Sequence, residues 1–239
     1  MANSEKIGTK QEVKGVVKEN FITKIVHWYN QYEKIIFGVV IALFVIIGGS
    51  MALNRFYFQP RNQKGAAAVL APIQYYGQAI QSNDTAKFNL ALEGDEENDG
   101  FLAIISDYKM TKVANTAKYF AGLCYLNMGQ KEEALDFFLK FKKKEDVYWY
   151  VCQMLIGDLY DEQGDDNKAI KYYEKAAKGD NNFSTPIVLF KLGQMYEKAD
   201  RWDKAYATYA RIQNEYYNEY QSSGIDKYLE KAKLKANIQ

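Results

Sequence analysis

The stretch AGLCYLNMGQKEEALDFF, residues 121–138, recurs twice further along the chain. Its counterparts are IGDLYDEQGDDNKAIKYY at 156–173 and LGQMYEKADRWDKAYATY at 192–209. The glycines in second place are 35 and then 36 residues apart. Self-similarity at a period between about 20 and 50 residues is typical of a chain built from stacked structural units.

Each copy places small and aromatic residues at the same offsets. A Gly is followed by Tyr three residues later, by Ala twelve residues later, and by an aromatic residue four positions after that Ala. Gly and Ala let two helices approach closely, and the aromatic ring fills the space beside them. A second Gly comes where the first helix should end in a left-handed turn. The repeat-signature residues are Gly122, Tyr125, Gly129, Ala134 and Phe138, then Gly157, Tyr160, Gly164, Ala169 and Tyr173, then Gly193, Tyr196, Ala205 and Tyr209.

This pattern resembles the tetratricopeptide repeat, a unit of two helices and about 34 residues. The departures are Asp200 in place of the third turn glycine and the missing early Trp. The resemblance implies an all-α solenoid closed by a capping helix. In the less regular part, helices are expected over 66–81 and 101–108. We predict a repeat domain at 66–239, with a degenerate first unit at 66–112, repeats at 115–148, 150–183 and 186–219, and a capping helix at 224–236.

An uncharged apolar run, IIFGVVIALFVIIGGSMAL, occupies residues 35–53. A helix of this length spans about 28 Å, close to the roughly 30 Å hydrocarbon thickness of a bilayer. Lys34 and Arg55 bracket the run, and aromatic residues lie beyond both ends, as at membrane interfaces. We predict one transmembrane helix at 35–53. A cleaved signal peptide and a buried core helix are the alternatives.

Residues 1–34 are predicted to be a cytoplasmic tail, and 54–65 a linker. Apolar residues recur at helical spacing from Val13 to Tyr32, which predicts an amphipathic helix that lies on the membrane or a partner, or simply extends the membrane helix. Basic residues flank the apolar run equally, but the six lysines of the tail favour a cytoplasmic amino terminus. The repeat domain is then expected in the periplasm.

Composition argues against catalysis, metal binding and nucleic-acid binding. The chain has one His, two Cys and a net charge of +1. No nucleophile–base pair, phosphate-binding glycine loop or cluster of metal ligands is visible in the sequence. We therefore expect no enzyme activity, no cofactor, no metal, and neither a nucleic-acid partner nor a small-molecule substrate. Cys124 and Cys152 are expected to be small buried apolar residues rather than a disulfide.

Tetratricopeptide arrays bind extended peptides on the inner face of their first helices. The Lys and Asn positions that clamp a peptide carboxylate in some members are here Tyr, Leu, Met, Asp, Phe and Gln. We therefore expect a groove for apolar or weakly basic polypeptide. The alternative is that these residues pack against neighbouring units. The resemblance implies groove positions Tyr119, Leu123 and Leu126, then Val151, Met154, Asp158 and Asp161, then Ile187, Phe190, Gln194 and Glu197.

The whole architecture resembles the YfgM family of ancillary subunits of the bacterial Sec translocon. The segment DGFLAIISDYKMTKVANTAKYFAGLCYLNMGQ, residues 99–130, is similar to that family's first unit. The resemblance implies an inner-membrane protein whose partners are translocon subunits, a periplasmic chaperone and exported polypeptides. The alternatives are a scaffold of another envelope complex, in cell division or envelope assembly, and an organelle receptor with a cytoplasmic repeat domain.

Overall fold

The computed structural model describes residues 9–142, 147–216 and 224–238, with side chains from residue 22 onward apart from residue 147. The chain divides into two compact units, Met1–Pro60 and Arg61–Gln239. The helices are α1 (Thr9–Leu53), a π-helical turn (Asn54–Phe58), α2 (Gln59–Ala68), α3 (Leu70–Ser82), α4 (Thr85–Glu93), α5 (Phe101–Asp107), α6 (Lys112–Asn127), α7 (Lys131–Leu139), α8 (Val147–Glu162), α9 (Asp166–Ala176), α10 (Ser184–Lys198), α11 (Trp202–Glu215) and α12 (Ile225–Lys235).

The first unit is dominated by one continuous helix. The predicted tail helix and the apolar run 35–53 are both parts of α1, and the apolar side chains of the run are exposed. No Pro occurs before Pro60, so nothing in the sequence interrupts the helical hydrogen bonds. The predicted linker 54–65 is helical as well, and a π-helical turn at Asn54–Phe58 lies directly before Pro60, which cannot donate a backbone hydrogen bond.

The degenerate first unit differs from the prediction. The partner of α3 is α4, a helix that the sequence reading missed, and α5 packs instead on α6. Asn83 adopts the left-handed conformation that ends α3, and the Asp84 carboxylate accepts from Ala86 N, 2.9 Å, to begin α4. This unit also begins before residue 66, because Gly65 is buried beside Tyr108 and Val113.

Beyond α5 the chain forms three helical hairpins, α6–α7, α8–α9 and α10–α11, and α12 packs on α11. The predicted all-α solenoid is confirmed. The hairpins pack through apolar clusters on α3–α6, on α6–α8 and on α9–α12, and Phe120, Tyr125 and Tyr160 each pack against two of them. Each hairpin therefore shares its core with its neighbour, as in a solenoid.

The signature glycines lie against the aromatic residues 16 positions later. A Cβ on Gly122 would stand 2.6 Å from the Phe138 ring, and one on Gly157 would stand 2.7 Å from the Tyr173 ring. The same contact joins Gly193 to Tyr209. No real Cβ packs so closely, so only glycine lets the second helix of each hairpin lie this near the first.

The three turns inside the hairpins share one hydrogen-bond pattern. Gly129 and Gly164 both have φ of 77°, and Asp200 occupies the third turn with φ of 54°. The next amide in each turn donates to the carbonyl of the signature Tyr, at 2.8 to 2.9 Å. This is the Schellman closure of a helix, and the predicted left-handed turns are confirmed.

The glycine–aromatic contact predicts a specific coupling between Gly122 and Phe138. Gly122→Ala should lower the free energy of unfolding by about 1 to 3 kcal/mol, because the added methyl group meets the ring. Phe138→Leu should reduce that loss in the double variant by about 0.5 kcal/mol or more, because the smaller side chain makes room. Urea unfolding of all four proteins, followed by circular dichroism, measures the coupling.

Gly77→Ala is the matched control, since a Cβ at this helical glycine meets nothing within 4 Å. It should raise stability by about 0.5 to 1 kcal/mol. Equal losses at positions 77 and 122, or strictly additive effects of the Gly122 and Phe138 changes, would contradict the contact.

Candidate partner-binding groove

The groove positions lie on α6, α8 and α10, the first helices of the three hairpins. Gln194 is exposed, Tyr119 is 9% exposed, and the others are half-buried. Tyr119 stacks on Tyr148 with ring centroids 4.7 Å apart. The first hairpin therefore presents a largely filled aromatic surface at positions where a groove for apolar or weakly basic polypeptide was expected.

Several apolar groove positions are also part of the core. Leu123, Leu126 and Val151 pack against the cluster on α6–α8, and Met154 packs against the one on α9–α12. Phe190 contacts Tyr228 of the capping helix edge-on, with centroids 4.8 Å apart. These residues support the stack as well as facing the groove, so replacing them would disturb folding together with any binding.

The acidic groove positions are paired inside the domain. Asp158 Oδ1 accepts from the Tyr173 hydroxyl and from Lys191 Nζ, both at 2.6 Å. Lys198 Nζ lies 3.2 Å from Asp161 Oδ1. The Glu197 carboxylate accepts from Lys231 and from the Tyr209 hydroxyl. The expected acidic edges of the groove are thus largely neutralised by lysines of the third hairpin and the capping helix.

A cavity of about 470 Å³ lies between the second and third hairpins. It brings together Asp158, Asp161 and Gln194 of the predicted set with Lys191 and Lys198, which the sequence reading missed. Both lysines lie at helical spacing on α10, one turn from predicted groove positions, which was the available signal. The cavity is polar and of mixed charge, and it opens on the groove side of α8 and α10.

Tyrosine hydroxyls join helices by donating to carboxylates. Besides Tyr173, Tyr209 donates to Glu197 at 2.9 Å, and Tyr196 donates to Glu174 at 2.7 Å across two hairpins. Burial, and then the hydrogen bond to the carboxylate, raises the pKa of Tyr173, Tyr209 and Tyr196 above the ordinary value of 10.0. These phenols remain neutral donors in the folded protein.

Within the part of the chain that the structure describes, no group of three or more His, Cys, Asp or Glu could bind a metal ion. Cys124 and Cys152 are free thiols, both fully buried. Burial raises the pKa of the Cys124 thiol to about 12, so it is not a ready nucleophile.

Comparison with known proteins supports the repeat assignment. Residues 152–182 match one tetratricopeptide repeat model, and residues 116–145 and 188–216 match a second. The chain carries three tetratricopeptide repeats. Among solved structures, the chain also matches the crystal structure of MamA protein, at 16% identity over 72% of this chain and 93% of that chain with a TM-score of 0.43. No curated protein matches the sequence.

The tyrosine–carboxylate contacts predict loss of stability at alkaline pH. The pKa values of these tyrosines are higher in the folded than in the unfolded chain. Their contribution to the free energy of unfolding is therefore complete below about pH 10 and declines as the pH rises further. Unfolding titrations between pH 8 and 11 should show the decline. Tyr173→Phe with Tyr209→Phe should make the decline shallower, because both carboxylate contacts are then lost. An unaltered slope in the double variant would contradict this reading.

Proposed function

We propose that this chain is a membrane-anchored protein-interaction module whose repeat domain lies in the periplasm. The observation that carries the proposal is the pairing of three tetratricopeptide repeats, an architecture for binding polypeptides, with a long apolar helix. The repeats favour a non-catalytic scaffold. The narrower part of the proposal is association with the Sec translocon and periplasmic chaperones to assist exported proteins, and it rests on the resemblance to YfgM-like proteins.

Membrane anchorage is supported by the exposure of α1. Among the described residues, one helical stretch is long and apolar enough to cross a bilayer, and its most apolar 18-residue window, of mean hydropathy 2.7, is entirely unburied. A core helix of a soluble domain would be mostly buried. Phe37, Phe44 and Val45 are 66 to 72% exposed, so the run has the lipid-facing surface that a membrane span needs.

Peptide binding is supported by the groove between the second and third hairpins. Asp158 pairs there with Lys191 and Asp161 with Lys198, and Gln194 is exposed beside them. A polypeptide lying along these first helices meets donors and acceptors in addition to apolar edges. We expect a groove that recognises backbone and polar groups, with less apolar contact than the sequence alone implied.

Anchorage predicts that the full chain stays in the membrane fraction after alkaline carbonate washing. Ile41→Lys with Val45→Lys should release it, since each charge near the bilayer centre costs about 2.5 to 3.5 kcal/mol. Ile22→Lys, outside the apolar run, is the control and should remain bound. In spheroplasts, added protease should digest the repeat domain. Protection of the domain, or release of the unaltered chain, would contradict this part of the proposal.

The partner is tested by a photocrosslinking amino acid at position 194 of the full chain in bacterial membranes. We expect adducts with translocon subunits, a periplasmic chaperone or exported polypeptides, identified by mass spectrometry. The control probe at position 81 is exposed on α3, outside the residues that line the cavity, and should give none of these adducts. Adducts only with cell-division or cell-wall proteins would replace the translocon with another envelope complex.

A further inference from the structure

The loops that join successive repeats lie together at one edge of the repeat domain. Lys142 N, at the end of the first hairpin, donates to Asn115 Oδ1 at the start of the same hairpin, 3.1 Å. Tyr150, at the start of the second hairpin, packs on Gly179 at its end. Antiparallel hairpins stacked in series place all such joins on one side. We call this side the loop edge and the side with the turns at Gly129, Gly164 and Asp200 the turn edge.

The repeat domain also begins at the loop edge. Arg61 donates to the carbonyl oxygen of Asp107, at the end of α5. Asn62 Oδ1 accepts from Lys112 N, the first residue of α6, at 3.0 Å. The chain therefore enters the domain at the edge that carries the inter-repeat loops, and the residue before Arg61 belongs to the unit with the apolar helix.

Exposed apolar and aromatic side chains are found on the loop edge. Phe183, in the loop before α10, is 81% exposed, and Met110, in the loop before α6, is 87% exposed. Trp149 and Tyr150 line a cavity of about 260 Å³ together with Lys175 and Lys178. Aromatic rings with nearby lysines are typical of protein surfaces that contact the head-group region of a bilayer.

Charge differs between the two edges. On the turn edge, the lysines at positions 131, 168 and 198 form ion pairs with acidic residues at 2.7 to 3.2 Å. On the loop edge, none of the ion pairs between described residues includes the lysines at positions 109, 112, 142, 175 and 178. The acidic residues within four positions of these lysines along the chain are Asp107, Glu145, Asp146, Glu174 and Asp180, and Lys143 and Lys144 also follow Lys142. These seven lysines and five acidic residues together carry a net charge of +2.

We propose that the loop edge docks on an anionic lipid surface, with Phe183 entering the head-group layer and the edge lysines contacting lipid phosphates. The proposal rests on the membrane anchorage proposed above. Anchorage keeps the domain near the bilayer, so even a weak contact is populated through high effective concentration. Docking leaves the groove side of α8 and α10 free for a partner. It also fixes the distance between that groove and the membrane surface.

The test uses the full chain reconstituted at one chain per nanodisc, with an NBD fluorophore on Phe183→Cys. The native thiols are buried, and unaltered protein should take up no label. In discs of phosphatidylcholine with phosphatidylglycerol, we expect a blue shift of the emission and quenching by doxyl-labelled lipid. In phosphatidylcholine alone, and at raised salt, the shift should disappear. The matched control is the same fluorophore on Gln163→Cys, at the turn edge, which should not respond.

Charge reversal separates lipid contact from other causes. Lys142→Glu with Lys178→Glu should lower the docked fraction about fivefold for each lysine lost, while Lys204→Glu with Lys235→Glu, away from the loop edge, should leave it unchanged. Thermal unfolding checks that the two double variants are equally stable. The same shift in both lipids, or a shift that needs two chains per disc, overturns the proposal. Failure of the chain to enter discs would instead contradict the anchorage.

Discussion

In each helical hairpin of this protein, the two helices lie so close that an aromatic ring packs directly against the backbone of a glycine. That contact occurs three times, between a glycine of the first helix and an aromatic residue 16 positions later. The rings are at most 2% exposed, and the alanines four residues before them are fully buried. Because a methyl group does not fit in this gap, the spacing of each hairpin is set by a single residue type. The stacking of hairpins, and so any surface across them, depends on it.

Polar contacts then fix how one hairpin is placed on the next. Lys191 reaches back to Asp158, Tyr196 reaches back to Glu174, and Arg211 donates to the carbonyl of Ala177 at 2.7 Å. Each contact joins residues at least 22 positions apart. The apolar clusters supply non-directional attraction, whereas these hydrogen bonds define register. The charges on the candidate groove are consequently held in place by contacts within the fold.

The repeat could be predicted from the sequence because its determinants are local in spacing. Gly157, Ala169 and Tyr173 occur at fixed offsets, and steric exclusion gives those offsets one geometric meaning. The helix Thr85–Glu93 was missed, because a nine-residue helix has too few turns for a clear apolar period and depends on its cap at Asp84.

The groove was harder to predict than the fold. The first helix of each hairpin contacts the core on one side and faces the candidate groove on the other. From the sequence alone, an apolar residue such as Phe190 could therefore be either a core residue or a groove residue. Only its contact with Tyr228 of the capping helix distinguishes them. Likewise Lys191 and Asp158 are 33 residues apart, and no local pattern pairs them. Contacts between repeats could therefore be identified only in the structure, whereas the glycine–aromatic contact within each repeat could be predicted from the sequence.

Amide hydrogen exchange of the full chain, read by mass spectrometry, tests the central claim most directly. Slow exchange depends on cooperative packing, and in a solenoid each hairpin is protected by its neighbours. We expect slow exchange within each of the helices α6 to α11, with comparable protection in all three glycine-containing first helices. Fast exchange across residues 115–216, or protection confined to one copy, would show that the hairpins do not stack as described.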